Sequence, residues 1–322
     1  MTATVGVIAN PIAGKDIRRL VSFASPVSDM AKIGIIRRAV VGAVEGGAQR
    51  LLITDDRRAL GMRAIDNLSL DAEVVFLDAP PYDSGMNSQN AAAAFQEEGV
   101  GAVIVLGGDG THRDVVKGWR NAPLMAVSTG TNNVFPRQVE ATIAGQAAGV
   151  VASREPPIHE VADQAKVIDV ELDDGEAEQA LVDLALVDES FTGSRAVWTG
   201  QRLREMVAAI AERATVGLSC IASRVAPTTR HQAGGVHVTF GDGERFRIPI
   251  APGLYSEVEI SSWRRLHLNE SVEMSGPGVL SFDGERDLVL PRGRSALVTV
   301  SHDGPWVIDI EKAMSLECGE AR

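Results

Sequence analysis

Ala102-Val-Ile-Val-Leu-Gly-Gly-Asp-Gly-Thr111 reads as a buried strand running without a break into a glycine-rich turn. An apolar run this short, with branched residues at its centre, fits a strand covered on both faces better than a helix. The turn therefore lies at the carboxyl edge of a sheet, where open α/β folds bind ligands. Gly107, Gly108 and Gly110 let the backbone come close to a bulky anion and aim N–H groups at it. A helix predicted from near Thr111 to about Arg120 adds unpaired N–H groups and a dipole that favours phosphate. Asp109 is the odd member, because a carboxylate repels phosphate unless it serves chemistry. It can take a proton from an attacking hydroxyl, or hold a Mg²⁺ ion that the phosphates share. The plain alternative is a strand-to-helix turn with glycines at positive φ and Asp109 as N-cap.

Upstream and downstream of this stretch, short apolar runs alternate with helical patterns, which predicts a mostly parallel sheet covered by helices. Val5–Ala9, Arg50–Thr54, Glu73–Leu77 and Leu124–Ser128 are the other strands. Ile33, Ile36, Val40 and Val44 recur at helical spacing before Gly46-Gly47, and Gln89–Glu98 and Val139–Ala152 are further helices. Two of these strands end in polar loops. Thr129-Gly-Thr-Asn-Asn133 supplies Gly130, Thr131, Asn132 and Asn133, whose hydroxyls and amides can bond phosphate or ribose without adding charge. Asn10-Pro-Ile-Ala-Gly-Lys15 supplies Asn10, Gly14 and Lys15, the last a point charge for phosphate. Neither loop is a P-loop, and no strand is followed by G-x-G-x-x-G.

The texture changes at Pro156-Pro157. Alternating segments such as Ala165–Leu172, Gly235–Phe240 and Arg245–Ile250, split by Asp174-Gly175 and Asp242-Gly243, predict a β-rich, sandwich-like domain. One helix, Thr199 to Ala214, is expected to interrupt it. The reading is thus an α/β N-terminal domain over 1–155 and a β domain over 156–304, with 305–322 able to join either. His231 and His237 lack companions for a metal site. His112 reads as a helix-start residue, Arg195 as a surface arginine, and Trp198, Trp263 and Trp306 as packing residues.

With 322 residues there is room for two cores, and a net charge of −12 argues against a nucleic-acid partner. Two cysteines, Cys220 and Cys318, give no disulfide framework, and the sequence has no signal peptide or membrane span. A cytoplasmic protein is expected.

Asn10-Pro11 with Gly14, then Gly107–Thr111, then Gly130–Asn133, in that order, resemble the superfamily of NAD kinases, diacylglycerol and sphingosine kinases and, more distantly, phosphofructokinases. Ser281-Phe-Asp-Gly-Glu285 is similar to the turn found in the β domain of NAD and lipid kinases. Asn10–Arg19 and Ser128–Pro136 most resemble the AcoX group, ATP–NAD-kinase-like proteins associated with acetoin catabolism. The resemblance implies a site between two domains, a C-terminal segment returning to the first, and a homo-oligomer. It also implies Asp109 as catalytic acid/base or Mg²⁺ organiser, with ATP or polyphosphate as donor and NAD or a similar polar metabolite as acceptor. Asp188 and Glu189 stand where NAD kinases carry an Asn-acidic pair that contacts the dinucleotide, and the turn at Gly130 is closer to the lipid-kinase form. A diacylglycerol-type lipid kinase, a kinase of small hydroxy-ketones such as acetoin, and a nucleotide-binding regulator without turnover are the alternatives.

Overall fold

The computed structural model describes residues 2–11, 22–23, 27–78, 85–130, 132–191, 197 and 200–317. Gly14, Lys15, Thr131, Arg195, Trp198 and Cys318 lie outside these. The first half runs β1 (Thr4–Ala9), α1 (Asp29–Glu45), β2 (Arg50–Thr54), α2 (Leu60–Ile65), β3 (Glu73–Leu77), α3 (Gly85–Glu97), β4 (Ala102–Gly107), α4 (Asp109–Gly118), β5 (Pro123–Ser128), α5 (Ala141–Arg154), α6 (Ile158–Val161) and β6 (Ala162–Gln164). The second runs β7 (Val167–Leu172), β8 (Ala177–Ala180), β9 (Asp183–Val187), β10 (Leu203–Ala208), α7 (Ser219–Val225), β11 (Gly235–Ala251), β12 (Leu254–Leu266), β13 (Ser271–Ser275), β14 (Gly278–Phe282), β15 (Glu285–Leu290), β16 (Ser295–Ser301), β17 (Trp306–Ile308) and α8 (Ile310–Ser315).

The first sheet has the order β3-β2-β1-β4-β5-β17-β6, parallel throughout except for β6. Its central strands β1, β4 and β5 are mostly apolar because both faces are covered. In β4, Ala102, Ile104 and Leu106 join the core beneath α1 and α5, while Val103 and Val105 join the one beneath α3 and α4. Strand order runs outward from β1 in one direction and from β4 in the other, so the loops after β1 and β4 diverge at the carboxyl edge. That divergence is the switch point at which such sheets open a crevice. The chain comes back to this sheet at its end, with Trp306 opposite Pro123 and Val307 opposite Leu124.

The other two sheets form a sandwich. The six-stranded sheet β12-β11-β10-β9-β14-β15 packs on the four-stranded sheet β13-β16-β7-β8 through Leu184, Leu280, Phe282, Ile168 and Val298. The outer face of the larger sheet is covered by α7 through Ile221 and Ala222.

The helix expected over 199–214 is instead strand β10, hydrogen-bonded between β9 and β11. Glu205, Met206 and Ala208 are good helix formers, but Met206, Val207 and Ala208 are fully buried in mid-sheet, and that environment overrides propensity. Trp263, expected to pack inside, is 49% exposed on the edge strand β12. Among the described residues, no helix is long and apolar enough to cross a membrane.

Candidate nucleotide site

The loops after β1, β4 and β5 meet at the switch point. Asn10 Nδ2 donates to Thr111 Oγ1 at 2.9 Å, which ties the end of β1 to the first turn of α4. Lys32, 4% exposed inside α1, donates its ammonium to the carbonyls of Asn10 and Pro11 at 3.2 and 2.7 Å. The turn after β5 is fastened by Thr129 N donating to Gly107 O at 3.3 Å and by Asn133 Nδ2 donating to Ser128 Oγ at 2.8 Å.

Asp109 locks the two glycine turns together. Its carboxylate accepts from Val134 N at 3.0 and 3.1 Å and from Phe135 N at 2.8 Å. The carbonyls of the same two residues accept from Arg230 at 2.8 and 2.9 Å, and Arg230 is also paired with Glu212. The 134–135 backbone is therefore held between an anion from α4 and a cation from the segment after α7.

The glycines are required by contact and not, as expected, by positive φ. Gly108 is extended, with φ −100° and ψ −173°, and a Cβ there would fall 2.8 Å from Asn133 Oδ1. At Gly107 it would strike the Thr111 side chain at 2.5 Å, and at Gly130 it would lie 3.2 Å from Asn133 Nδ2. Gly110 is different: the atoms nearest its added Cβ would be those of the Glu285 carboxylate, at 3.7 to 3.8 Å.

Glu285 comes from the sandwich. Asp283 and Gly284, with φ of 52° and 77°, make the tight turn joining β14 to β15, the geometry for which Asp-Gly is favoured. The Asp283 carboxylate accepts from the backbone N–H of Leu181 and Val182 at 2.9 and 2.8 Å, which fixes the turn against the start of β9. Burial pushes its pKa up, against the pull of Arg113 and those amides. Among the described residues the Glu285 carboxylate makes no hydrogen bond or close salt bridge, and its charge acts on Arg113 and Asp114.

Arg113, on α4, joins the two parts. It donates to Phe282 O at 3.3 Å and pairs with Asp287 at 3.0 Å, stacked over the Phe282 ring at 5.5 Å. Burial works against its charge, yet the carboxylates of Asp283, Asp287, Asp114 and Glu285 hold its pKa up. Asp114, one turn beyond Gly110, is raised to about 6, first by burial and then by Glu285 and Asp287. His112 is fully buried, and its Nδ1 is 2.8 Å from Gly108 O. Burial lowers its pKa to about 4, so it is a neutral packing residue under α4.

Asn132 Oδ1 is buried with no hydrogen-bond partner, an acceptor in the turn left for something else to complete. Beside Asn10 a cleft of about 330 Å³ runs along the ends of β1, β2 and β3, with Asp55, Asp78, Asn87 and Asn90 on its polar side and Ala91 and Ala94 on its apolar side.

Asp188 and Glu189 are not brought to this place. β9 pairs with β14 so that Leu184 faces Phe282 and Val187 faces Val279, which puts Asp188 at the end of β9 remote from the Asp283-Gly284 turn. Lys32, Arg230 and Glu285 are structural or site residues that sequence reasoning did not assign. For Lys32 a signal exists, a lysine directly before the apolar face that begins at Ile33. For Arg230 no local pattern points to Asp109's loop.

The ATP-NAD kinase N-terminal domain profile matches residues 5–155, and the acetoin catabolism protein X C-terminal domain profile matches 166–303. The chain is 34% identical to acetoin catabolism protein X of Cupriavidus necator (strain H16), over 96% of this chain and 91% of that one. In fold it is similar to a solved structure from Bacillus anthracis str. Sterne described as a candidate diacylglycerol kinase, with a TM-score of 0.50, 14% identity, and coverage of 95% of this chain and 98% of the other.

Proposed function

The chain belongs to the acetoin catabolism protein X family, and from that membership and the geometry of the switch point we propose that it transfers a phosphoryl group from ATP or polyphosphate to the hydroxyl of a small polar metabolite. One observation carries the reading. Two glycine turns are locked together at the carboxyl edge of a parallel sheet, and the carboxylate of Glu285, with no hydrogen bond or salt bridge among the described residues, is delivered from a second sheet to face them.

In this reading the donor's phosphates lie against the N–H groups of Gly107–Thr111, at the positive end of α4. The cleft beside Asn10 takes the donor's nucleoside, with Asp55 and Asp78 placed to accept from ribose hydroxyls. Asp109, proposed from the sequence as acid/base, holds the two turns in register, since its oxygens already accept backbone N–H groups. Glu285 then receives the proton of the attacking hydroxyl, across from Gly110. Asn132 Oδ1 gains its missing donor from the acceptor or the ribose. The division of labour follows the two domains, 1–155 with the returning segment and 156–304.

Among the described residues no three His, Cys, Asp or Glu side chains gather to hold a metal. Mg²⁺ needs only one or two carboxylates when phosphates supply the rest, and Asp114, close to Glu285, is the carboxylate left for that purpose. Bound there, the ion neutralises charge on the phosphates.

NAD is the proposed acceptor, because a turn rich in amides pairs with ribose hydroxyls and discriminates against analogues that leave those amides unpaired. The name of the Cupriavidus relative makes a small hydroxy-ketone the second candidate. Purified protein is incubated with Mg²⁺, ATP or polyphosphate, and NAD, acetoin or dispersed diacylglycerol in parallel. NADP should form and the lipid stay unmodified. Phosphorylated acetoin without NADP would move the proposal to the smaller acceptor, and no transfer to any of the three would contradict it.

A further inference from the structure

A second cavity lies on the other side of the 134–135 segment. β17 lies between β5 and β6 and accompanies β5 only as far as Leu124, and further along the same edge of β5 Arg137 bridges Val127. Between those points the sheet is open at Met125 and Ala126. A cavity of about 300 Å³ occupies the gap, a size at which small-molecule sites begin. Met125, Phe135, Val139, Ile210 and Ile308 line one part of it, and charged side chains, Asp163, Asp309 and Glu311 among them, line the rest.

At this cavity sits Lys166, only 2% exposed. Its ammonium donates to Thr229 O at 3.1 Å and Gly234 O at 2.9 Å, which uses two of its three donors. No carboxylate lies within ion-pair distance of it among the described residues. Glu212, the one carboxylate that favours its charge, is taken by Arg230. Burial accordingly lowers the pKa of Lys166 to about 8. A buried cation is normally paired, and burying one without a counter-ion is costly. The buried part of the lining is apolar, the half-buried and exposed Asp163, Asp309, Glu311, Arg137, Arg230 and His231 give the cavity a polar mouth of mixed charge, and Lys166 is the buried cation among them, with no anionic partner among the described residues.

We propose that this cavity is a ligand site for a small organic carboxylate with an apolar body, whose carboxylate pairs with Lys166 and whose body fills the gap between β5 and β17. Phe135 connects it to the glycine turns: it lines the cavity, its amide is held by Asp109, and its carbonyl is held by Arg230. An occupant therefore stiffens the segment that Asp109 grips. The site itself does not rest on the phosphotransferase reading, and its test uses no nucleotide chemistry.

The probe is 4-phenylbutyrate, titrated calorimetrically into the full chain without nucleotide, with 4-phenylbutyramide as the neutral control. The carboxylate should bind saturably, one per chain, and about tenfold or more tighter than the amide, the loss expected for a charge-assisted bond. Lys166→Met should remove that difference. Val139→Trp, which fills the cavity from its rim, should abolish binding while the thermal midpoint holds. Hydrogen exchange of the backbone at 134–137 should slow when the probe is bound. Equal binding of acid and amide, no saturable binding, or undiminished acid-over-amide preference in Lys166→Met would each overturn the proposal, and none of these outcomes bears on phosphoryl transfer.

Discussion

Asp109 and Glu285 are two carboxylates with opposite surroundings, and their variants should fail differently. The Asp109 oxygens accept three contacts from two backbone N–H groups, so Asp109→Asn puts an NH₂ where an acceptor is needed. We expect it to lower stability by about 1–3 kcal/mol, the range for a buried donor left unsatisfied, as well as to lower turnover. Glu285→Gln removes a carboxylate with no hydrogen bond among the described residues and should nearly keep the thermal midpoint, while turnover drops by about 10²–10⁴, as for loss of a positioned base. Denaturation curves and initial rates for both variants separate the roles; a Glu285→Gln enzyme at wild-type rate removes Glu285 from the chemistry. His112 makes a pH prediction. Its folded pKa of about 4 lies below the ordinary 6.5, so the unfolded chain binds a proton that the folded chain refuses. Its contribution is whole above pH 6.5 and is lost as pH falls through 4, roughly 3 kcal/mol in all. Asp114, raised to about 6, acts in the opposite sense, stabilising in acid and losing that contribution as pH rises from its ordinary value to 6. Urea unfolding between pH 4 and 7 should therefore show a flatter acid loss for His112→Gln and a steeper one for Asp114→Asn. The glycines and Asp109 were legible because they form one string after one strand. Glu285 could be placed in a turn but not against Gly110, since that contact spans 175 positions of chain that only the fold brings together.

Among elements, α1 and α5 pack backbone to backbone. A Cβ at Gly145 would lie 2.0 Å from Ala39 O, and at Gly42 it would lie 2.0 Å from Thr142 O. Gly→Ala in a helix ordinarily stabilises by up to about 1 kcal/mol. Here the sign reverses, and Gly145→Ala should destabilise by about 1–3 kcal/mol as the helices are forced apart. A chemical denaturation curve shifted the other way would contradict this packing. The helix pattern of both segments was readable from their apolar spacing, but the closeness of their approach was not, since it depends on which faces meet. β10 shows the reverse problem: a segment of good helix formers becomes a strand because β9 and β11 bond to it on both sides. Local preference was clear there and non-local pairing decided the outcome.

For the whole molecule, the alternation of strand and helix predicted a parallel sheet, and the turn-split alternation after Pro156-Pro157 predicted antiparallel sheets; both are present. What no pattern showed is that the sandwich would present the β14–β15 turn to the first turn of α4, which sets Glu285 beside Gly110. In the proposed reading the donor phosphates lie against the N–H groups of Gly107–Thr111, at the start of α4. Gly110→Val adds bulk beside those N–H groups, and the atoms nearest its Cβ outside its own helix and chain neighbours are those of the Glu285 carboxylate at 3.7 to 3.8 Å, so the fold should survive, as its thermal midpoint will report. The decisive measurement is calorimetric titration of Mg-ATP into the wild-type chain and into Gly110→Val. Saturable binding by the wild type, weakened about tenfold or more in the variant by blocked approach of the phosphates to the backbone, is the predicted result. Equal affinity of the two proteins for Mg-ATP would contradict the account.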